Sequence, residues 1–292
     1  MTFIYNDNTR KRINYFYNKI YQIWDNKQNQ SYLGLLIVFS FIISLIVIHL
    51  NKIGYLPDFL SPFVSTNHFV AIEVSFVILL FFEVLSLIFV LPKSFSRSLL
   101  KQFEILSLIL LRDSFKEFKY ISEPINWQNT TESIYQMLSH AFGALVIFGF
   151  ILLIKRKQKH RDYTYTKVNK ERFITIKRLV SITLLFIFTY LMIDDLYLYV
   201  KGLDSFRFFE TFYTILIFAD ILIVLLSLRY SYSYPVLFRN SGFAFATVLI
   251  RLALTAPVYI NSIIGIVAVI FTLVLTIIYS NYSLKNIDEA SS

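Results

Sequence analysis

Cysteine is absent from the 292 residues, which excludes disulfides, thiolate metal sites and cysteine nucleophiles. Glycine is scarce. The 7 glycines are too few for the glycine-interrupted half-helices that build ion sites in many secondary transporters. Charge is scarce too, at 16% of residues against 56% apolar and a mean hydropathy of +0.60, so a water-soluble domain of this composition would lack polar surface. The four histidines, at 49, 68, 140 and 160, show no metal-ligand spacing. No phosphate-binding glycine loop, Gly-x-Ser-x-Gly elbow, or haem or flavin signature occurs. These absences predict a protein that is not an enzyme, with no catalytic residue, metal or cofactor.

What the chain does have is long apolar runs. "YLGLLIVFSFIISLIVIHL" (32–50) and "IIGIVAVIFTLVLTIIY" (263–279) carry no ionised group and approach the roughly 20 residues that cross about 30 Å of hydrocarbon. Continuous runs, rather than alternating ten-residue segments, predict helices and not a barrel. The expected fold is therefore an all-α, polytopic integral membrane protein. Apolar segments fall at about 32–50, 69–91, 137–154, 179–200, 209–228, 242–257 and 258–280, the last two divided by Pro257.

An eighth candidate, 98–115, carries Lys101, Glu104 and Arg112 in an otherwise apolar helical pattern, so it either crosses or lies in the interface. The distribution of positive charge separates these cases. With seven spans and an inside amino terminus, 13 Lys or Arg fall inside and 14 outside. With 98–115 crossing, 20 fall inside and 6 outside, Arg112 at the outer end being counted with the latter. The positive-inside rule selects eight spans, with both termini cytoplasmic. The abundance of Ile, Phe, Tyr, Asn and Lys fits an AT-rich genome and points to a plasma membrane of bacterial inner-membrane type.

The expected organisation is a cytoplasmic segment (1–31), a transmembrane domain (32–280) and a cytoplasmic tail (281–292). The loop "KRKQKHRDYTYTKVNKERFITIKR" (155–178) holds ten basic residues. The net charge of +9 is thus read as topology and contact with anionic lipid on the cytoplasmic side, not as nucleic-acid binding. A second copy of the chain or another membrane protein is the remaining candidate partner. The first 31 residues lack the apolar core of a cleavable signal. Within them, Ile13, Phe16, Tyr17, Ile20 and Trp24 share one helical face, which predicts an amphipathic helix lying in the head-group layer.

Charges inside spans cost at least about 2.5 to 3.5 kcal/mol each and need a partner or a wet cavity. At 100° per residue, Arg97, Lys101, Glu104 and Arg112 form an 80° stripe, expected to face the bundle. Counted from the cytoplasmic ends, Glu83 lies about 12 Å deep and Glu104 about 10 Å, which predicts a shared site near Lys101. Their surroundings, "FEVLSLI" and "FEILSLI", are alike. Glu73 and Arg112 are level near the outside. Asp220, about 13 Å deep, and Arg251, about 14 Å, predict a buried ion pair, with Ala244, Thr247 and Thr255 on the arginine's face allowing close approach. Asp194 and Asp195 among tyrosines read as solvated carboxylates in an aromatic belt. His140, one turn into its helix, reads as a packed residue.

Two functions fit this pattern. One is an ion or small-solute permease or channel-like protein whose pathway is lined by Glu73, Glu83, Lys101, Glu104, Arg112, Asp220 and Arg251. The other is a scaffold or sensor without transport, recruiting partners or anionic lipid through the basic loop.

Overall fold

The structure, a computed structural model, describes residues 7–58, 60–157, 167–201, 208–228 and 234–291. Among them are nine α-helices and no strand: α1 (Asp7–Trp24), α2 (Lys27–Ile53), α3 (Val70–Val90), α4 (Phe95–Lys116), α5 (Trp127–Lys157), α6 (Lys167–Val200), α7 (Phe208–Leu228), α8 (Tyr234–Thr255) and α9 (Ile260–Ser291). Seven of these, α2, α3 and α5 to α9, are long and apolar enough to cross a membrane; α1 and α4, the expected eighth span, are not. The chain is a multi-pass helical membrane protein. The middle of the basic loop, 158–166 with His160, lies outside the described residues.

Helix ends follow local chemistry. Asn26 caps α2 by accepting a hydrogen bond from the Gln28 N–H at 3.0 Å. At its other end Gly54 adopts φ 83°, a left-handed conformation that glycine takes without steric cost, and its N–H bonds the Asn51 carbonyl. Several helices run past the apolar windows. Helix α5, for instance, begins ten residues before Met137, because polar residues keep the helix going where water or head groups replace lipid.

Helix α4 is the centre of the bundle. Its Leu99, Phe103, Leu106 and Leu110 enter one core, shared with α5, α8 and α9, while Ile105 and Ile109 enter a second, shared with α3, α6 and α7. It runs antiparallel to α5, with Glu104 bonded to Lys155 near one end and Glu117 facing His140 near the other. Its 22 residues span about 33 Å at 1.5 Å per residue, the thickness of the hydrocarbon layer. Neighbouring helices cover most of α4, which accounts for its buried residues despite its low hydropathy.

The polar stripe of α4 is placed differently from expectation. Arg97, Lys101, Leu108, Leu111 and Phe115 form its exposed edge, with Glu104 half-buried among them, so the stripe faces away from the bundle at the α1 end. Only Arg112, at the margin of the stripe, is buried. Two apolar cores claim the rest of the circumference, which leaves the polar edge for the outside.

Helix α1 also departs from a simple interfacial helix. The Tyr17 hydroxyl donates to the Phe89 carbonyl at 3.1 Å, and Trp24 stacks on Phe82 and Phe89. Tyr17, Tyr21 and Trp24, at i, i+4 and i+7, thus dock α1 on the end of α3, and Arg178 of α6 covers Tyr17. Phe16, grouped with Tyr17 by sequence, is exposed, together with Tyr15 and Ile23.

Candidate functional site

The sequence-predicted ion pair between α7 and α8 is present and defines the bundle's most buried polar site. Arg251 is 0% exposed and Asp220 5%. Arg251 Nε lies 3.4 Å from Asp220 Oδ2, and Nη2 donates to Gln102 Oε1 at 3.2 Å. Gln102 in turn donates through Nε2 to Ser98 Oγ at 3.1 Å. Neither Arg251 Nε, Arg251 Nη1 nor Asp220 Oδ2 has a hydrogen-bond partner, so the pair is held by charge more than by directed bonds. Ala244 and Thr247 lie on the arginine's face as expected, both buried.

A third ion joins from α6. Lys177 is 3% exposed, donates to the Lys93 carbonyl at 3.0 Å, and sits over the rings of Phe95 at 4.0 Å and Phe173 at 5.1 Å. Lys177, Asp220, Gln102, Ser98 and Thr247 line a cavity of about 20 Å³, room for about one water. The site therefore gathers two buried basic side chains and one buried acid. Lys177 and Gln102 went unremarked in the sequence, since a lysine at the edge of a basic loop looks like a solvated charge.

The remaining intramembrane charges pair otherwise than depth counting predicts. Glu83 bonds Arg112, which also lies 3.5 Å from Asp113. Glu104 bonds Lys101 at 3.0 Å and Lys155 at 2.6 Å. Glu73 bonds Lys119 at 2.6 Å. Glu83 and Glu104 thus share no site, and neither lines a cavity described here; the likeness of their heptapeptides carries no common role. Arg112 reaches Glu83, and not Glu73, because the arginine stem extends its charge about a turn beyond its Cα, while Lys119 occupies Glu73.

At the end opposite α1, a second cavity of about 220 Å³ lies between α4, α5 and the α8–α9 turn. Asp113, Lys116, Glu117, Lys119, His140 and Asn261 form its polar lining; Ile109, Leu110, Ala253 and Leu254 form its floor. Glu117 and His140 are buried. His140 is packed, as its position suggests, but against a carboxyl that the sequence did not single out. Burial is the main influence on Glu117 and, against the nearby charge of Lys119, leaves its carboxyl above the usual carboxylate range.

The same end carries a polar clasp. Glu123 accepts from the His68 backbone N–H at 3.0 Å, from His68 Nδ1 at 2.8 Å and from Lys52 at 2.9 Å, joining α2 and the loop before α3 to the segment after α4. His49 Nδ1 lies 3.3 Å from His68 Nε2. Partial burial pushes the Glu123 carboxyl up, but the bonds from His68 and Lys52, with their charge, bring it down to about 2. Asp194, Tyr190 and Tyr197 are exposed near the end of α6, in keeping with an aromatic belt.

No grouping of three or more His, Asp or Glu able to hold a metal occurs among the described residues. Compared with known proteins, the chain matches no family model, no curated protein and no solved structure.

Proposed function

We propose that this chain is a carrier of small ions, with its α1 end in the cytoplasm and its pathway along the seam between α4 and α8. One observation carries the reading: six residues of α8, from Thr247 to Ala253, about 9 Å at 1.5 Å per residue, separate the two polar cavities. Arg251 contacts Gln102 and Asp220, which line the inner cavity, while Ala253 and Leu254, two and three residues on, line the outer one. In this reading Arg251, which lies between those positions along α8, is the barrier between them. A shift of α8 against α4 that carried the arginine from one cavity towards the other would give access from one side at a time.

The solute is small because the inner cavity admits about one water. Binding and passage involve no covalent step. The excess of 20 basic residues over 6 supports the orientation, and the basic loop then meets anionic cytoplasmic lipid. The test is flux in lipid vesicles containing the purified chain, with ion gradients and dyes for protons, cations and anions. Wild type is expected to carry at least one of these. The paired replacement Asp220→Asn with Arg251→Gln, which leaves neither partner of the pair charged, is expected to change that flux.

A scaffold without transport is favoured by a different observation: Glu73, Glu83 and Glu104 are each neutralised by their own cations. Wild-type vesicles impermeable to all three classes of ion would establish that reading in place of the carrier.

A further inference from the structure

We propose that Glu117 is a proton-binding site at the outer cavity, its carboxyl taking up and releasing a proton while His140 beside it stays neutral. The inference deepens the carrier reading, naming the proton as an ion the outer cavity handles. Its structural basis is separate from the flux question.

Glu117 belongs to the 3₁₀ turn Glu117–Tyr120 that ends α4, and it is 7% exposed. Its Oε2 has no hydrogen-bond partner. Its Oε1 lies 3.9 Å from His140 Nε2, beyond a direct hydrogen bond. An ionised carboxylate with an orphaned oxygen in such a place is costly; a protonated carboxyl is neutral.

The histidine cannot easily take the proton instead. Asn261 Oδ1 accepts from the Ser262 backbone N–H at 2.6 Å and from the Ser262 hydroxyl at 3.3 Å, which fixes the orientation of the amide. Its Nδ2 therefore points an N–H at His140 Nδ1, 3.3 Å away. That nitrogen must accept, so the neutral ring carries its hydrogen on Nε2, towards Glu117. A second proton on the ring would set two donors against each other.

The charges around Glu117 do not supply a full counter-ion. Lys119, on the same turn, is engaged by Glu73 of α3 at 2.6 Å. Lys116 and Asp113 of α4 line the same cavity with opposite signs. Tyr259, in the α8–α9 turn, donates to Glu132 of α5 at 3.0 Å, adding a further acid to this end of the bundle. The raised carboxyl noted above agrees with this balance. A cavity of about 220 Å³ has room for several waters, a path to solvent for proton exchange.

Infrared titration of the full chain in lipid vesicles tests the site. A protonated-carboxyl band is expected to persist above the ordinary glutamate range, near pH 4.3, and to vanish in Glu117→Gln. Nitrogen NMR is expected to show His140 protonated on Nε2 alone across the same range. Asn261→Asp, which replaces the amide donor by an acceptor, should let His140 charge and Glu117 ionise at lower pH. A band that titrates in the ordinary range, or a doubly protonated His140 beside ionised Glu117 in wild type, overturns the proposal. If Glu117→Gln does not fold, carbon NMR of glutamate-labelled wild type reads the same carboxyl. Titration as expected with no flux of protons, cations or anions would uphold the site and refute the carrier.

Discussion

Asp220→Asn removes the one acid facing Arg251 and tests the interior most directly. The two groups are 3.4 Å apart, so at an effective dielectric constant of about 20 their attraction is about 5 kcal/mol. Arg251 is 0% exposed, and in the variant its guanidinium would keep only Gln102 as a hydrogen-bond acceptor. Lys177 would lose the same acid. One water in the small cavity offsets part of this loss, which leaves about 3 to 5 kcal/mol of destabilisation, the range for breaking a buried pair from one side. Unfolding of the purified chain in mild detergent, driven by a denaturing detergent and followed by Trp24 and Trp127 fluorescence, measures it. Arg251→Gln leaves Asp220 unpaired and should cost a similar amount. The double replacement should recover at least about 1.5 kcal/mol relative to the sum of the single changes. Loss below about 0.5 kcal/mol in Asp220→Asn, or simple additivity in the double, would refute the pair.

Other expectations are accessible to simpler measurements. Single cysteines at Gln128 and Lys157, both exposed at opposite ends of α5, should react with an impermeant thiol reagent from outside and from the cytoplasm respectively; the reverse pattern would remove α4 as a crossing helix. A Cβ at Gly143 would meet Ser262 Oγ at 2.7 Å and Cα at 3.4 Å, so Gly143→Val should force α5 and α9 apart at a cost of about 1 to 3 kcal/mol. Unchanged unfolding of that variant would mean the crossing has slack. The depressed Glu123 carboxyl contributes stability that is fully present above its ordinary pKa of 4.5 and fades as pH falls towards about 2. The protection of residues 64–68 from hydrogen exchange, relative to the intrinsic rate at each pH, should fall over that window in wild type and be low throughout in Glu123→Gln; equal protection in both proteins at neutral pH would show that the clasp holds nothing.

Which residues form helices, and the membrane class itself, follow from sequence alone, because a span must satisfy its own backbone and meet lipid with apolar side chains. Pro257 marks the α8–α9 break for a similarly local reason: it has no N–H to continue the ladder. The Asp220–Arg251 pair was legible as well, since two isolated charges at equal depth have few alternatives. Tertiary structure decided what depends on rotation and reach. Depth counting could not tell that Arg112 extends to Glu83, that Lys119 fills Glu73, or that Glu104 turns to Lys155. Nor could periodicity tell which side of α4 faces inward, because two cores divide its apolar residues and expel the stripe that looked functional. Glu117, Lys177 and Gln102 become distinctive only when other helices bury them, and burial by distant segments leaves no local mark on the chain.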